Sequence, residues 1–273
     1  MILRFAGLDE YLLNRQHRDH KEDEMGRLQG QVAIIVGASS GMGRATALAF
    51  VAEGAKVVAA ARRQAEIEAL VAEITRAGGE AIAVTADVAK RPDIDAVAQA
   101  TLARFGRVDV LVNCAGVNTR DRELAKLDQA GWDRIIGINL TGAFHCMQAV
   151  LPRMREQKGG LIIHISSISA LWGDFSGPAY QASKHGLTGL ANATMMEERL
   201  NGIRVTLIYP GLCDTPILKN RPVPPPPEQR ALMMQPEDIA QACVFAASLP
   251  PRTYVSELVL MPRALQCNGH PVG

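Results

Sequence analysis

VAIIVGASSGMGRATALAF, residues 32–50, sets five apolar residues against a glycine-rich turn and a small-residue helix. Residues 32–36 are apolar throughout, so they read as a strand buried on both faces. Glycines follow at 37, 41 and 43, with GxxxGxG spacing. Glycine permits a tight turn and a close approach to the backbone. The helix that follows offers unpaired N–H groups and the positive end of its dipole, which suits a pyrophosphate. A plain glycine-rich turn has the same letters. What favours the phosphate is the position, at the first strand–helix junction of a longer alternation. Ala45, Ala47 and Ala49 then allow close helix–sheet packing.

Outward from this stretch the alternation continues. Short apolar runs at 55–60, 81–84, 108–112, 161–165, 203–208 and 256–260 read as further buried strands. Between them, 64–77 carries Ile67, Leu70, Val71 and Ile74 at helical spacing, and Gly78-Gly79 stop it. Amphipathic stretches near 93–105, 132–155, 178–199 and 236–248 continue the series. The pattern predicts an α/β fold: a Rossmann-type, doubly wound sheet of seven mostly parallel strands in a three-layer sandwich. Residues 27–273 are expected to form one dinucleotide-binding catalytic domain, and residues 1–26 a mobile N-terminal extension. His17 and His20 form HxxH there without further ligands nearby, which suits a solvated tail; no metal is expected.

Composition sets bounds. The 29 basic and 28 acidic residues leave a formal charge of +1, so no bulk field draws the chain to nucleic acid or an anionic membrane. A hydrophobic content of 48% excludes intrinsic disorder. No apolar run reaches the length of about 18 that a spanning helix needs. The five cysteines are scattered and show no CxxC, which suits a reducing cytoplasm. Five prolines at 222 and 224–227 exclude a helix or central strand there. The 211–235 segment reads equally as a stiff surface loop or as a substrate lid.

The chemistry gathers after the strands. The second strand ends at Ala61, where an NAD user carries an acid for the ribose 2′-hydroxyl. Arg62 and Arg63 follow and suit a 2′-phosphate, so NADP is expected over NAD. Asp87-Val88 follow the third strand, and Asn113, Cys114, Ala115 and Gly116 follow the fourth. Asp87 suits an adenine amino group or, equally, a capping role. Tyr180 and Lys184 stand four apart, on one helix face, and Ser167 lies just past the fifth strand. Carbonyl reduction needs a proton donor. A free tyrosine titrates near 10, and a neighbouring ammonium lowers that value. Lys184 is therefore expected to acidify Tyr180 as general acid or base, while Ser167 fixes the reacting oxygen. A core tyrosine and a solvated lysine make the same YxxxK; the serine and the nucleotide-binding context favour catalysis. Gly37, Arg62, Asp87, Asn113, Ser167 and Gly211 each follow a strand, so a parallel sheet brings them to one edge. Trp172, Phe175, Leu212 and Cys213 are the candidates for the substrate pocket; His164 and His185 are expected to be structural.

Over about residues 28–262 these motifs resemble the classical short-chain dehydrogenase/reductases, NADP-preferring subgroup: GxxxGxG, Asp87-Val88, NCAG, Asn139 in NLTGAF, Ser167, YxxxK, and Tyr209-Pro210-Gly211 leading to Thr215-Pro216. The resemblance implies a catalytic tetrad of Asn139, Ser167, Tyr180 and Lys184. Lys184 would also bind the nicotinamide ribose, and Asn139 would support a water chain. Pro210, Gly211 and Thr215 would meet the nicotinamide. The rest of the cofactor set would be Gly37, Ser39, Ser40, Gly41, Met42, Gly43, Arg62, Arg63, Asp87, Val88, Asn113, Ala115 and Gly116. Val36 stands in place of a usual Thr, Cys114 in place of a usual Asn, and Ser40 where many NADP users carry a base. The ending LPPRTYVSELVLMPRALQ looks like a subgroup acting on small hydroxy acids or related carbonyls. The expected function is NADP(H)-dependent hydride transfer to a small carbonyl or from a secondary alcohol. The alternative is a catalytically silent NADP-binding sensor or scaffold. The family's helices imply a homodimer or homotetramer built on 132–155 and 178–199.

Overall fold

The computed structural model describes residues 26–265. The expected N-terminal extension, with its HxxH pair, and Cys267 lie outside the described residues. Seven strands form one sheet: β1 (Val32–Val36), β2 (Lys56–Ala61), β3 (Ala81–Thr85), β4 (Val110–Asn113), β5 (Gly160–Ile165), β6 (Ile203–Pro210) and β7 (Glu257–Leu260). Their order is β3-β2-β1-β4-β5-β6-β7. Every pairing is parallel, so the expected "mostly parallel" sheet is wholly so. The order reverses between β1 and β4, where open sheets of this type bind ligands.

Helices cover both faces. On one lie α1 (Gly41–Ala52), α2 (Gln64–Arg76) and α6 (Pro236–Ser248). On the other lie α3 (Arg91–Phe105), α4 (Gln129–Gln157) and α5 (Pro178–Glu198). The strands explain why both faces need covering. In β1, Ala33 and Ile35 join the first layer while Ile34 and Val36 join the second. In β5, Leu161, Ile163 and Ile165 face the first layer and Ile162 the second. Alternate side chains point to opposite faces, so a continuously apolar strand feeds two cores at once.

Helix α4 departs from regularity at Gly137–Thr141, where the turn widens to π geometry. By length and mean hydropathy α4 is also apolar enough to cross a membrane, its residues 135–152 being free of charge though interrupted by polar side chains. Its Ile138, Ala143, Met147, Val150 and Met154 instead belong to the second core layer.

The proline-rich segment is held at both ends. Residues Pro216–Asn220 and Pro227–Arg230 form short helices. Asp214 N donates to Met234 O at 2.8 Å, and Met234 N to Leu212 O at 3.1 Å. The Arg230 guanidinium grips the Asp214 carboxylate with bonds of 2.8 and 3.1 Å.

Ile163 lies at the centre of the sheet, wholly buried. Ile163→Ala is expected to lower the unfolding free energy by about 2–5 kcal/mol through lost transfer energy and the cavity left behind. Urea denaturation measures this. A loss under about 1 kcal/mol would show that neighbours refill the space.

Candidate active site

The loops that leave the C-terminal ends of β1–β6 line one cleft in two halves. The outer half, of about 370 Å³, is bounded by Gly37, Ser39–Gly43, Arg62, Arg63, Asp87, Val88, Ala115, Gly116, Tyr180, Lys184 and Thr215, among others. Two glycines make its floor. Gly37 sits at φ +82°, and a Cβ on it would lie 2.9 Å from Ala115 N. A Cβ on Gly43 would lie 2.3 Å from Gly37 O. No other residue leaves this cradle open at the start of α1.

The mouth of the outer half is basic. Arg63 folds back over the glycine loop, donating to Ser39 Oγ at 2.8 Å and Ser40 Oγ at 2.7 Å. A cation therefore reaches the point where Ser40 supplies none, but it comes from the end of β2. Arg62 is exposed beside it. Asp87 is oriented by its own turn, accepting from Ala89 N at 3.1 Å.

Deeper in, α5 carries Tyr180 and Lys184 on one face. Lys184 is 3% exposed and donates to Ile165 O at 2.9 Å. Its amine lies 5.7 Å from the centre of the Tyr180 ring. Burial drives the lysine down to about 8. Burial also pushes the Tyr180 phenol up to about 12, opposed first by a hydrogen bond with Ser167. This corrects the expectation that Lys184 acidifies Tyr180. The ammonium is itself desolvated and is held by a backbone carbonyl, so desolvation of the phenol prevails. Ser167 is fixed in turn, donating to Ser169 Oγ at 3.1 Å and accepting from Ser169 N at 3.2 Å.

Asn139 occupies the widened turn of α4 and is wholly buried. Its amide accepts from Val117 N at 2.8 Å and donates to Val117 O and Ser183 Oγ, both at 3.0 Å. It thus acts as a brace between the loop after β4 and α5. Asn113 is also a brace: it accepts from Ala115 N at 3.1 Å and lines neither half of the cleft. His164 lies 3.4 Å from Asn113 and is driven by burial to about 3, so it is neutral.

The inner half, of about 120 Å³, is lined by Ser167, Tyr180, Pro210, Gly211, Leu212, Cys213 and Thr215, with Asn118, Arg122, Asp174 and Arg221. Leu212 and Cys213 both line this half. Cys213 is pushed up to about 12 by burial, which makes it a wall and no nucleophile. Trp172 and Phe175 do not line either half; Phe175 is 91% exposed and borders an outer depression beside Pro178. The 171–177 loop turns both rings outward, Trp172 being half exposed and Phe175 almost wholly so.

Sequence reasoning missed three groups. Ser166 borders both halves, and its hydroxyl is buried without a partner. Arg122 and Arg221 lie in DREL and in the proline-rich run, where no motif marks them. No local signal could have joined them, because loop contacts alone bring them to one chamber.

A family model for short chain dehydrogenases matches residues 31–224. The chain is 40% identical over 235 residues to a 3-oxoacyl-(acyl-carrier-protein) reductase of Synechocystis, spanning 85% of this chain and 95% of that protein. It is 35% identical to the levodione reductase of Leifsonia aquatica, over 71% of this chain and 73% of that one. Among solved structures, a metagenomic short-chain oxidoreductase in complex with NADP is similar, with TM-score 0.76 and 35% identity over 87% of this chain and 99% of the other. An alcohol dehydrogenase from the archaeon Thermococcus sibiricus, complexed with 5-hydroxy-NADP, gives TM-score 0.79 and 27% identity over 86% of this chain and 98% of the other.

The buried lysine has a cost that pH reveals. Its value falls from the ordinary 10.5 to about 8. Below pH 8 the folded state carries a desolvated charge. Between 8 and 10.5 the folded state sheds that proton first, and the cost fades. Lys184→Met is therefore expected to be more stable than the parent at pH 7, by about 3 kcal/mol at most. The gap should shrink as pH rises through 8–10.5. Denaturation at pH 7 and pH 10 measures it, and a less stable variant at pH 7 would contradict the assignment.

Proposed function

Because the chain belongs to the short-chain dehydrogenase family, we propose that it moves a hydride between NADP(H) and a small carbonyl or secondary alcohol, with Tyr180 as general acid and base. The observation that carries this is the meeting of Ser167 and Tyr180 where the two halves of the cleft join, with Lys184 behind them. The glycine cradle and the unpartnered Ser166 hydroxyl fit a dinucleotide whose reactive end lies inward. A bound nicotinamide supplies or accepts the hydride.

The remaining work falls to the chain. Ser167 holds the substrate oxygen and shares the charge that develops there. Tyr180 stays protonated through the physiological range, since its phenol titrates near 12, and so has a proton to give in the reducing direction. In the oxidising direction the phenolate accepts it. Lys184 adds positive potential behind the phenol, and Asn139 keeps the loop after β4 in register with α5. The closed walls at Leu212 and Cys213 limit water near the reacting carbon.

The preference for NADP over NAD is supported by Ala61 at the end of β2, which brings no repelling carboxylate, and by Arg62 and Arg63 at the cleft mouth. The free cysteines among the described residues suit a reducing cytoplasm. Residues on the outer faces of α4 and α5, including Phe144 and Met196, suit assembly with further copies of the chain. Among the described residues no three His, Cys, Asp or Glu side chains are grouped as metal ligands would be.

Tyr180→Phe is expected to abolish turnover while NADPH still quenches protein fluorescence on binding. A near-parental rate would remove Tyr180 from the mechanism. Arg62→Ala should weaken NADPH binding by about tenfold to a hundredfold, the scale of one charge-assisted contact. NADH binding should change little, and equal losses for both nucleotides would refute the 2′-phosphate assignment.

A further inference from the structure

The inner half of the cleft holds charges that the proposed reaction does not use. Its wall carries two arginines and one carboxylate: Arg122, Arg221 and Asp174. The carboxylate offsets part of their charge but forms an ion pair with neither. Asp174 accepts from Ser169 Oγ at 2.6 Å, Ser176 N at 2.8 Å and Ser176 Oγ at 3.0 Å. These neutral donors fix it to the wall, and no ion pair joins it to either arginine.

Arg122 is 8% exposed. Its Nε donates to Thr119 O at 3.0 Å and its Nη2 to Asn220 O. Its Nη1 meets no acceptor among the described residues. Asn220 Nδ2 donates back to Asn118 O at 3.3 Å, so the loop after β4 and the Pro216–Asn220 helix hold each other in place. Arg221 follows directly and is half-buried. Its guanidinium has no hydrogen bond or ion pair among the described residues. Burial lowers both arginines from their ordinary value, and the Arg221 charge lowers Arg122 further.

Two desolvated cations share one carboxylate that pairs directly with neither, which is costly, and an incoming anion recovers that cost. A guanidinium presents paired N–H donors that match a carboxylate. Apolar side chains, Ile168, Leu212, Ile217 and Leu218, make up another part of the wall. The chamber is also well below the 300–1,000 Å³ of a drug-sized pocket. We propose that Arg122 and Arg221 form a carboxylate subsite, and that the substrate is a small oxo acid or hydroxy acid. Its acid group lies against the two guanidiniums, and its reacting oxygen lies at Ser167 and Tyr180. The identity of that oxygen rests on the oxidoreductase assignment above; the carboxylate subsite does not.

The test uses the full chain and inert probes, so it needs no turnover. Butanoate and butanamide have the same shape and differ in charge. Titration calorimetry should show butanoate binding about tenfold to a hundredfold more tightly than butanamide. Arg221→Leu should bring the two probes to equal affinity, and Arg221→Lys should restore part of the preference. Arg221 is the position to change because its side chain holds no other element in place, whereas Arg122 ties two loops together. Equal binding of both probes by the parent chain, or an undiminished preference in Arg221→Leu, would overturn the subsite. Failure of the oxidoreductase assignment would appear separately, as absent NADPH oxidation beside an intact charge preference.

Discussion

Seven strands that all run one way must all end on one edge. This constraint governs the molecule. Parallel pairing forces each connection to cross back over a face of the sheet, so helices cover both faces and every strand interior must be apolar. Polar groups have only the loops in which to gather. The reversal of strand order between β1 and β4 then opens a crevice among those loops. The glycine cradle, the basic mouth, the Tyr180–Lys184 face and the two inner arginines are all residents of that edge.

Within the crevice, desolvation outweighs pairwise attraction. An amine that meets only a backbone carbonyl loses part of its hold on its proton, and a phenol walled by protein clings to its own. The two groups thus shift apart, the lysine down from 10.5 to about 8 and the phenol up from 10.0 to about 12. The simple picture of an ammonium acidifying a neighbouring phenol leaves this out, because it assigns both groups their solution hydration. The site is better described as a dry place where proton affinities are set by the walls.

Much of this was legible in the sequence, for reasons that can be named. The strands were visible because burial on both faces removes alternation and leaves VAIIV unbroken, and VDVLV and LIIHI apolar but for Asp109 and His164. The glycines declared themselves because steric exclusion at Gly37 and Gly43 admits nothing larger. Tyr180 and Lys184 were paired by helical spacing alone. What stayed hidden depends on three-dimensional approach. Arg122 and Arg221 lie far apart in sequence and meet only through Asn118 and Asn220. Trp172 and Phe175 were misassigned because composition gives a side chain's size and not its direction. The bracing role of Asn139 required the widened turn of α4, which has no local signature in GINLT.

That widened turn couples two otherwise separate properties. It inserts extra length into a helix whose far half must keep Met147, Val150 and Met154 against the sheet. Each residue advances a helix by about 100°. Removing one to regularise the spiral would rotate the distal half off its seat, and keeping the seat would swing Asn139 away from Val117. The helix is therefore locked in length, and drift in this region of the chain is confined to side-chain identity, with insertions and deletions closed to it.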